Sequence, residues 1–216
     1  MIYRNENVSR NDYRFARFIY NYLNNYIDGL TLESSEVIDF WGKFKLRFTD
    51  DQRYLRIWLQ KNNSNEYDLG SSDCTYPNTS NIVLIYTEDF LYFNMASTST
   101  GGGCSIIYLK DKNDNEYAGG TGAPIGVNQS ILYNNVTMYN IGDEESVFNF
   151  IKMIGFEMPT GEIAFTDKAP LAISGNLSFF AKDLVSCSNV PVRNVITMRG
   201  HNYLAVDTNT LIQLDD

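Results

Sequence analysis

The chain has 216 residues, 17 Lys and Arg against 26 Asp and Glu, a formal net charge of −9 and a single histidine, His201. That length makes one large domain or two small ones. The acidity argues against a general nucleic-acid binder, which needs a basic face to displace counterions, and one histidine excludes HExxH-type and other two-histidine metal sites. Fifteen Tyr, 13 Phe and 24 Asn point to a β-rich, turn-rich chain.

Residues 1–20 carry four arginines (Arg4, Arg10, Arg14, Arg17) against Glu6 and Asp12, a local +2 that leaves −11 for the remainder. Such an N-terminus reads either as a solvated face or as a basic arm for an acidic neighbour, a second copy included. From Asn11 to Asp28 the apolar residues Phe15, Phe18, Ile19, Tyr22, Leu23 and Tyr26 recur at helical spacing. Ser9 or Asn11 is placed to cap this helix and Gly29 to end it. Its aromatic stripe has two readings, core or a seat in a neighbouring subunit.

Phe44-Lys45-Leu46-Arg47-Phe48 alternates polar and apolar, and after a turn at residues 49–52 comes Leu55-Arg56-Ile57-Trp58-Leu59, so a hairpin with one wet face is expected. Trp58 falls on the polar face with Arg56. Residues 61–80 read as a long polar loop. Apolar runs at 82–86 and 90–95 form a second hairpin, and Ile106 to Leu109 continue the pattern. Residues 119–130, with Gly119, Gly120, Gly122, Pro124 and Gly126, read as a linker or loop. They divide an N-terminal arm and helix (1–29) and a β domain (30–118) from a second β region (131–216), which can also form one domain with 30–118.

Ile131 to Ile141 is strand-like. A short internal helix is expected after it, capped at Asp143, with Val147, Phe148, Ile151 and Ile154 on one face and Gly155 closing it. Glu162 to Phe165, Leu171 to Ala181 and three runs between Val195 and Leu214 read as strands, with His201 in a tight turn. The expected fold is mainly β: an antiparallel sandwich or barrel with an aromatic-faced N-terminal helix and one short internal helix.

Chemistry is sparse. The spacing Gly120, Gly122, Gly126 is one residue too long for a dinucleotide loop, and no Lys-Ser/Thr follows for a phosphate loop. Asp111, Asn113 and Asn115 start like a calcium loop, but Glu116 stands where its glycine belongs and Gly122 where its bidentate glutamate belongs. Cys74, Cys104 and Cys187 are odd in number and scattered, as in free thiols of a reducing compartment. No signal peptide or membrane-spanning run is expected. Exposed aromatics on a sheet, with Trp41, Trp58, Tyr54 and Tyr92 the candidates, suit a sugar platform.

Three segments carry a family resemblance: Thr87-Glu88-Asp89-Phe90-Leu91-Tyr92-Phe93 with the turn Ser97 to Gly103; Ile106 to Tyr117 with Gly119-Gly120; and Arg193 to Val206. Over about a fifth of the chain they resemble virion structural proteins of large tailed bacteriophages. The resemblance implies a capsid, neck or tail component that works as one of many symmetric copies. It implies no catalytic residue, metal or cofactor.

The functional expectation is a non-enzymatic assembly protein of a phage particle, made in the host cytoplasm and residing in the virion. Its partners are copies of itself and other virion proteins, with neither nucleic acid nor membrane. The candidate interface is Phe15, Phe18, Tyr22, Tyr26, Arg14, Arg17 and Trp58. A carbohydrate-binding β-sandwich module with exposed Trp and Tyr is the alternative, its partner a glycan.

Overall fold

The structure, a computed structural model, describes residues 1–49, 51–61, 66–110, 114–126, 129, 136–142, 148–153, 170–173, 177–180, 184–186, 191–198, 200–207 and 210–214. Three antiparallel sheets and one helix, α1 (Phe15–Leu23), make up the described architecture, and no sheet closes into a barrel among the described residues. The fold is therefore mainly β and sandwich-like.

The N-terminal segment is a strand, β1 (Ile2–Ser9), rather than a free arm. After α1, a five-stranded meander runs through β2 (Leu30–Leu32), β3 (Val37–Phe40), β4 (Phe44–Phe48), β5 (Tyr54–Lys61) and β6 (Glu66–Asp73). The last strand falls where a long loop was expected. A second meander follows: β7 (Thr79–Tyr86), β8 (Phe90–Ser97), β9 (Gly103–Lys110), β10 (Glu116–Thr121), β11 (Thr137–Asn140), β12 (Phe148–Met153), β13 (Pro170–Ile173) and β14 (Leu177–Phe180). With β1 added beside β7, these eight form a nine-stranded sheet. The C-terminal sheet, ordered β15 (Leu184–Ser186), β18 (Thr210–Gln213), β17 (His201–Asp207) and β16 (Val195–Met198), is the third.

Burial explains the layering. One face of the nine-stranded sheet (Ile82, Leu84, Leu91, Phe93, Ile106, Tyr108) packs with α1 and with Ile38, Phe40, Phe44, Leu46, Ile57 and Leu59 of the five-stranded sheet. The opposite face (Val83, Ile85, Phe90, Tyr92, Ile107, Leu109) packs with Leu204 and Ile212 of the C-terminal sheet. Strands β8 and β9 are thus covered on both faces, and read as continuous apolar runs rather than alternating ones. The strands β4 and β5 keep one wet face and alternate.

Several polar groups inside this core find partners, although Arg193 Nε and the Nε and Nη1 of Arg10 are buried without a hydrogen bond among the described residues. Asn94 Oδ1 accepts from Ser105 Oγ and from the Ile125 N–H, both at 2.8 Å. Arg193 Nη2 donates to Tyr92 Oη (3.2 Å) and to the Ile125 carbonyl (3.0 Å), joining the segment before β16 to the nine-stranded sheet.

The expected internal helix is corrected. Phe148–Met153 is strand β12, paired with β11 (Thr137 opposite Phe150) and β13 (Ile151 opposite Ile173). The helical spacing at 148 and 151 coexists with Phe148/Phe150 and Ile151/Met153 alternation. The free edge of β11 and the strand preference of Phe and Ile decide between the two. The expected cap at Asp143 with Val147, and Ile154 and Gly155, lie outside the described residues, as do Glu162 to Phe165, Cys187, Asp111 and Asn113. The run expected at Leu171 to Ala181 is a hairpin of two strands, β13 and β14. The N-terminal helix is shorter than expected; its N-cap position is Arg14 rather than Ser9 or Asn11 and has no side-chain cap, while Asp12 Oδ1 accepts from the Arg14 N–H at 2.9 Å just before the helix begins. Residues Gly119 and Gly120 belong to β10, and the sheet continues from β10 directly to β11. His201 is the first residue of β17, facing Met198, with its Nδ1 3.2 Å from Gln213 Nε2.

Candidate interaction surface

Most of the aromatic stripe of α1 is core. Phe15, Phe18 and Tyr22 are buried against the chain's own sheets, so they present no face to a neighbour. The helix reaches β1 through Tyr22, and Tyr22 and, just beyond the helix, Tyr26 both donate from their hydroxyls to Glu6 Oε1, at 2.8 and 3.4 Å. Burial and the Glu6 carboxylate push the Tyr22 phenol well above its ordinary pKa. Tyr26 is half-buried and carries the Arg4 guanidinium 4.8 Å from its ring centroid.

The arginines of the N-terminal segment separate into different roles. Arg10 is buried, its guanidinium 4.3 Å from the Phe15 ring and 5.2 Å from the Tyr76 ring. Arg14 Nε donates to Tyr13 Oη at 3.0 Å. Arg17 is exposed and pairs with Asp12 at 3.5 Å. Arg4 alone of the four sits on the exposed part of β1. The basic cluster of the sequence is therefore not one surface.

Trp58 lies on the outer face of the five-stranded sheet, apart from α1. It faces Arg47 directly across the β4–β5 pair, and the Arg47 guanidinium is 3.7 Å from its ring centroid. The guanidinium of Arg56, two residues before it on the same strand, is 5.2 Å away. Each arginine is also held by a carboxylate of β6. Arg47 donates from Nε and Nη2 to the two oxygens of Glu66 at 2.7 and 2.6 Å, a bidentate fork. Arg56 grips Asp68 in the same manner. Those hydrogen bonds hold the Glu66 and Asp68 carboxyls below the ordinary carboxylate range. On the same face Lys45 pairs with Glu33 at 2.6 Å, and Tyr54 Oη meets Ser71 Oγ at 2.8 Å. A β-bulge between Ile57 and Trp58 sets Trp58 opposite Asp68. The result is a pre-ordered Trp–Arg–carboxylate ladder.

The other aromatics singled out for sugar stacking are differently placed. Tyr92 is buried and Trp41 packs at 5.1 Å on Tyr108 and 6.2 Å on Tyr86, while Tyr54 is exposed. Cys74 and Cys104 are buried free thiols, and burial pushes both above the usual thiol value. Among the described residues no helix is long and apolar enough to cross a membrane, and no three His, Cys, Asp or Glu side chains are grouped to hold a metal ion.

Sequence reasoning found Trp58 but not Arg47, Glu66 and Asp68, because their meeting depends on strand register. It named Arg4 and Glu6 only within a basic N-terminal segment and did not place them on a strand, since β1 carries no apolar period. No family model, curated protein or solved structure matches the chain.

Proposed function

We propose that the chain is a non-enzymatic structural component of a phage particle, assembling as a symmetric homo-oligomer through protein–protein contacts. The observation that carries this reading is the ladder on the outer face of the five-stranded sheet. Trp and Arg, held rigidly by Glu66 and Asp68, are the residue types that dominate protein contacts, and their pre-ordering lowers the entropy cost of docking. The resemblance at residues 87–120 and 193–206 to tailed-phage virion proteins supplies the biological setting: synthesis in the host cytoplasm and residence in the virion.

A glycan-binding module is the competing reading. Sugar stacking needs an open aromatic face, and the Arg47 guanidinium at 3.7 Å already occupies the Trp58 ring. That contact favours protein over sugar as the partner. Two measurements test the proposal: mass photometry of the purified chain, and peptide mass spectrometry of purified phage particles from the source of the gene. Discrete oligomers and peptides of this chain at stoichiometric level are expected. A strict monomer absent from particles would overturn it, and glycan-array binding lost in Trp58→Ala would favour the alternative.

A further inference from the structure

Strand β1 ends the nine-stranded sheet: it pairs with β7 on one side and, among the described residues, with no strand on the other. Its central residues Arg4, Asn5, Glu6 and Asn7 are exposed. The outward backbone groups can be identified. The Arg10 N–H donates to the Asn78 carbonyl at 2.9 Å, one step beyond the Ser9–Thr79 pair, so Arg10 belongs to a hydrogen-bonded pair of this ladder. Hydrogen-bonded pairs alternate in antiparallel sheets. Ile2, Arg4, Glu6 and Val8 therefore turn their N–H and C=O groups to β7, while Tyr3, Asn5, Asn7 and Ser9 turn theirs to the open edge. The Arg4 Nη1 group, which donates to the Tyr3 carbonyl at 3.0 Å, agrees with that direction.

Apart from the Tyr3 carbonyl, which the Arg4 guanidinium must share or yield on pairing, this row of backbone donors and acceptors is a template for another strand. A second copy of β1, related by a two-fold axis, must set outward residues against outward residues, which places the axis on a residue. With the axis on Arg4, Arg4 opposes its own copy. With the axis on Glu6, two glutamates meet. Like charges directly opposite destabilise a strand pair. With the axis on Asn5, Arg4 faces the second copy's Glu6 twice, Ile2 faces Val8, and Tyr3 faces Asn7. The Arg4–Glu6 positions are then the close, non-hydrogen-bonded pairs. Both charges lie on the α1 side of the sheet, where Tyr26 stacks on Arg4 and bonds Glu6, so their positions are ordered in advance.

We infer that β1 is a self-complementary edge that pairs with β1 of a second copy in the register centred on Asn5, joining two nine-stranded sheets into one. This rests on the assembly reading and names one of its contacts.

Asn5→Cys tests the register. In it the two Cα atoms at position 5 are about 5.5 Å apart, within disulfide reach, whereas the described native cysteines are buried. A covalent dimer linked through position 5, mapped by peptide mass spectrometry, is expected on mild oxidation. Charge exchange tests the pairing independently of that variant. By sedimentation velocity, Arg4→Glu and Glu6→Arg should each weaken self-association about tenfold or more, and mixing the two variants should restore it, since each then offers what the other lacks. Oligomers that neither cross-link at position 5 nor respond to charge exchange overturn the β1 contact and leave the assembly reading standing. A wild-type chain that stays monomeric at the highest soluble concentration overturns both.

Discussion

Lys43, in the turn between β3 and β4, donates to Glu116 at the start of β10, and Tyr108 Oη lies between them, 3.2 Å from Lys43 Nζ and 2.8 Å from Glu116 Oε1. The cluster ties the five-stranded sheet to the nine-stranded one at a point where both cation and carboxylate are only partly shielded from water. Beneath it Trp41, Phe44 and Tyr108 pack at 5.1 to 6.2 Å between centroids, an apolar wall that the ion pair closes.

The value of that tie is measurable as a coupling. Lys43→Met leaves Glu116 facing Tyr108 without its cation, and Glu116→Gln leaves Lys43 with a weaker acceptor. Each should cost about 1–2 kcal/mol in urea unfolding, and the double variant should cost about 1 kcal/mol less than their sum. Additive losses would show that this ion pair adds nothing to the joining of the two sheets.

Buried phenols give the chain an alkaline limit. Burial raises Tyr22, Tyr92 and Tyr108 well above their ordinary range, with Glu6 and Glu116 adding to the first and third, and burial pushes Tyr139 up to about 12. A phenol whose folded value is raised contributes stability that is complete below its unfolded value, near pH 10. Above that the unfolded chain releases the proton first, so the contribution falls as pH rises toward the folded values. Unfolding free energy should therefore decline steadily beyond about pH 10. Replacing Tyr139 with Phe should flatten the early part of that decline, measured by urea midpoints across the series; an unchanged slope would assign the loss elsewhere.

The sheets legible in the sequence are those whose burial writes a period into the side chains. Phe44 to Phe48 alternates because one face is wet, and Phe90 to Met95 is apolar nearly throughout because both faces are covered. Strands β1 and β6 escaped notice for the opposite reason. In β6 only Leu69 is buried, and β1 has Ile2, Tyr3 and Val8 partly buried with Arg4 to Asn7 exposed between them. Edge positions of this kind are specified by backbone pairing, which leaves no mark on residue type. The same holds for the ladder: Trp58 was conspicuous, but its neighbour Arg47 is set by register and its carboxylates by a bulge, both tertiary properties. The N-terminal aromatic stripe was legible as a stripe, while its choice of core over a neighbouring subunit depended on sheets that follow it in the chain.

The Arg47–Trp58 contact should be visible in fluorescence. Arg47→Ala uncovers the indole and releases Glu66, so Trp58 emission should shift red and become more quenchable by acrylamide, with a stability loss of about 1 kcal/mol. Arg47→Lys should recover only part of this, because an ammonium lacks the fork that holds Glu66. In the parent chain, acid should act similarly. Glu66 and Asp68 are held below their ordinary values, so their pairs persist at neutral pH and are lost as pH falls below about 4. An emission spectrum unmoved by Arg47→Ala would mean that the guanidinium does not rest on the ring in solution.

Gly119 and Gly122 read as linker by sequence, but Gly119 lies against β11 within the nine-stranded sheet and Gly122 against β6 of the five-stranded one. A Cβ on Gly122 would come within 2.0 Å of the Gly70 carbonyl oxygen of β6, where the Gly122 N–H donates to the Leu69 carbonyl at 2.8 Å. A Cβ on Gly119 would lie 1.9 Å from the Thr137 carbonyl oxygen of β11. In both cases the obstacle is backbone, which cannot rotate away as a side chain can. Gly119→Ala and Gly122→Ala should each destabilise by about 3 kcal/mol, through forced separation of strands rather than through lost flexibility. Gly142→Ala is the control, its nearest neighbour being an Asn140 side-chain oxygen at 3.6 Å, and it should change little. If all three variants unfold at the parent's urea midpoint, the strands around these glycines are not in close contact and the segment behaves as the linker that its composition suggests.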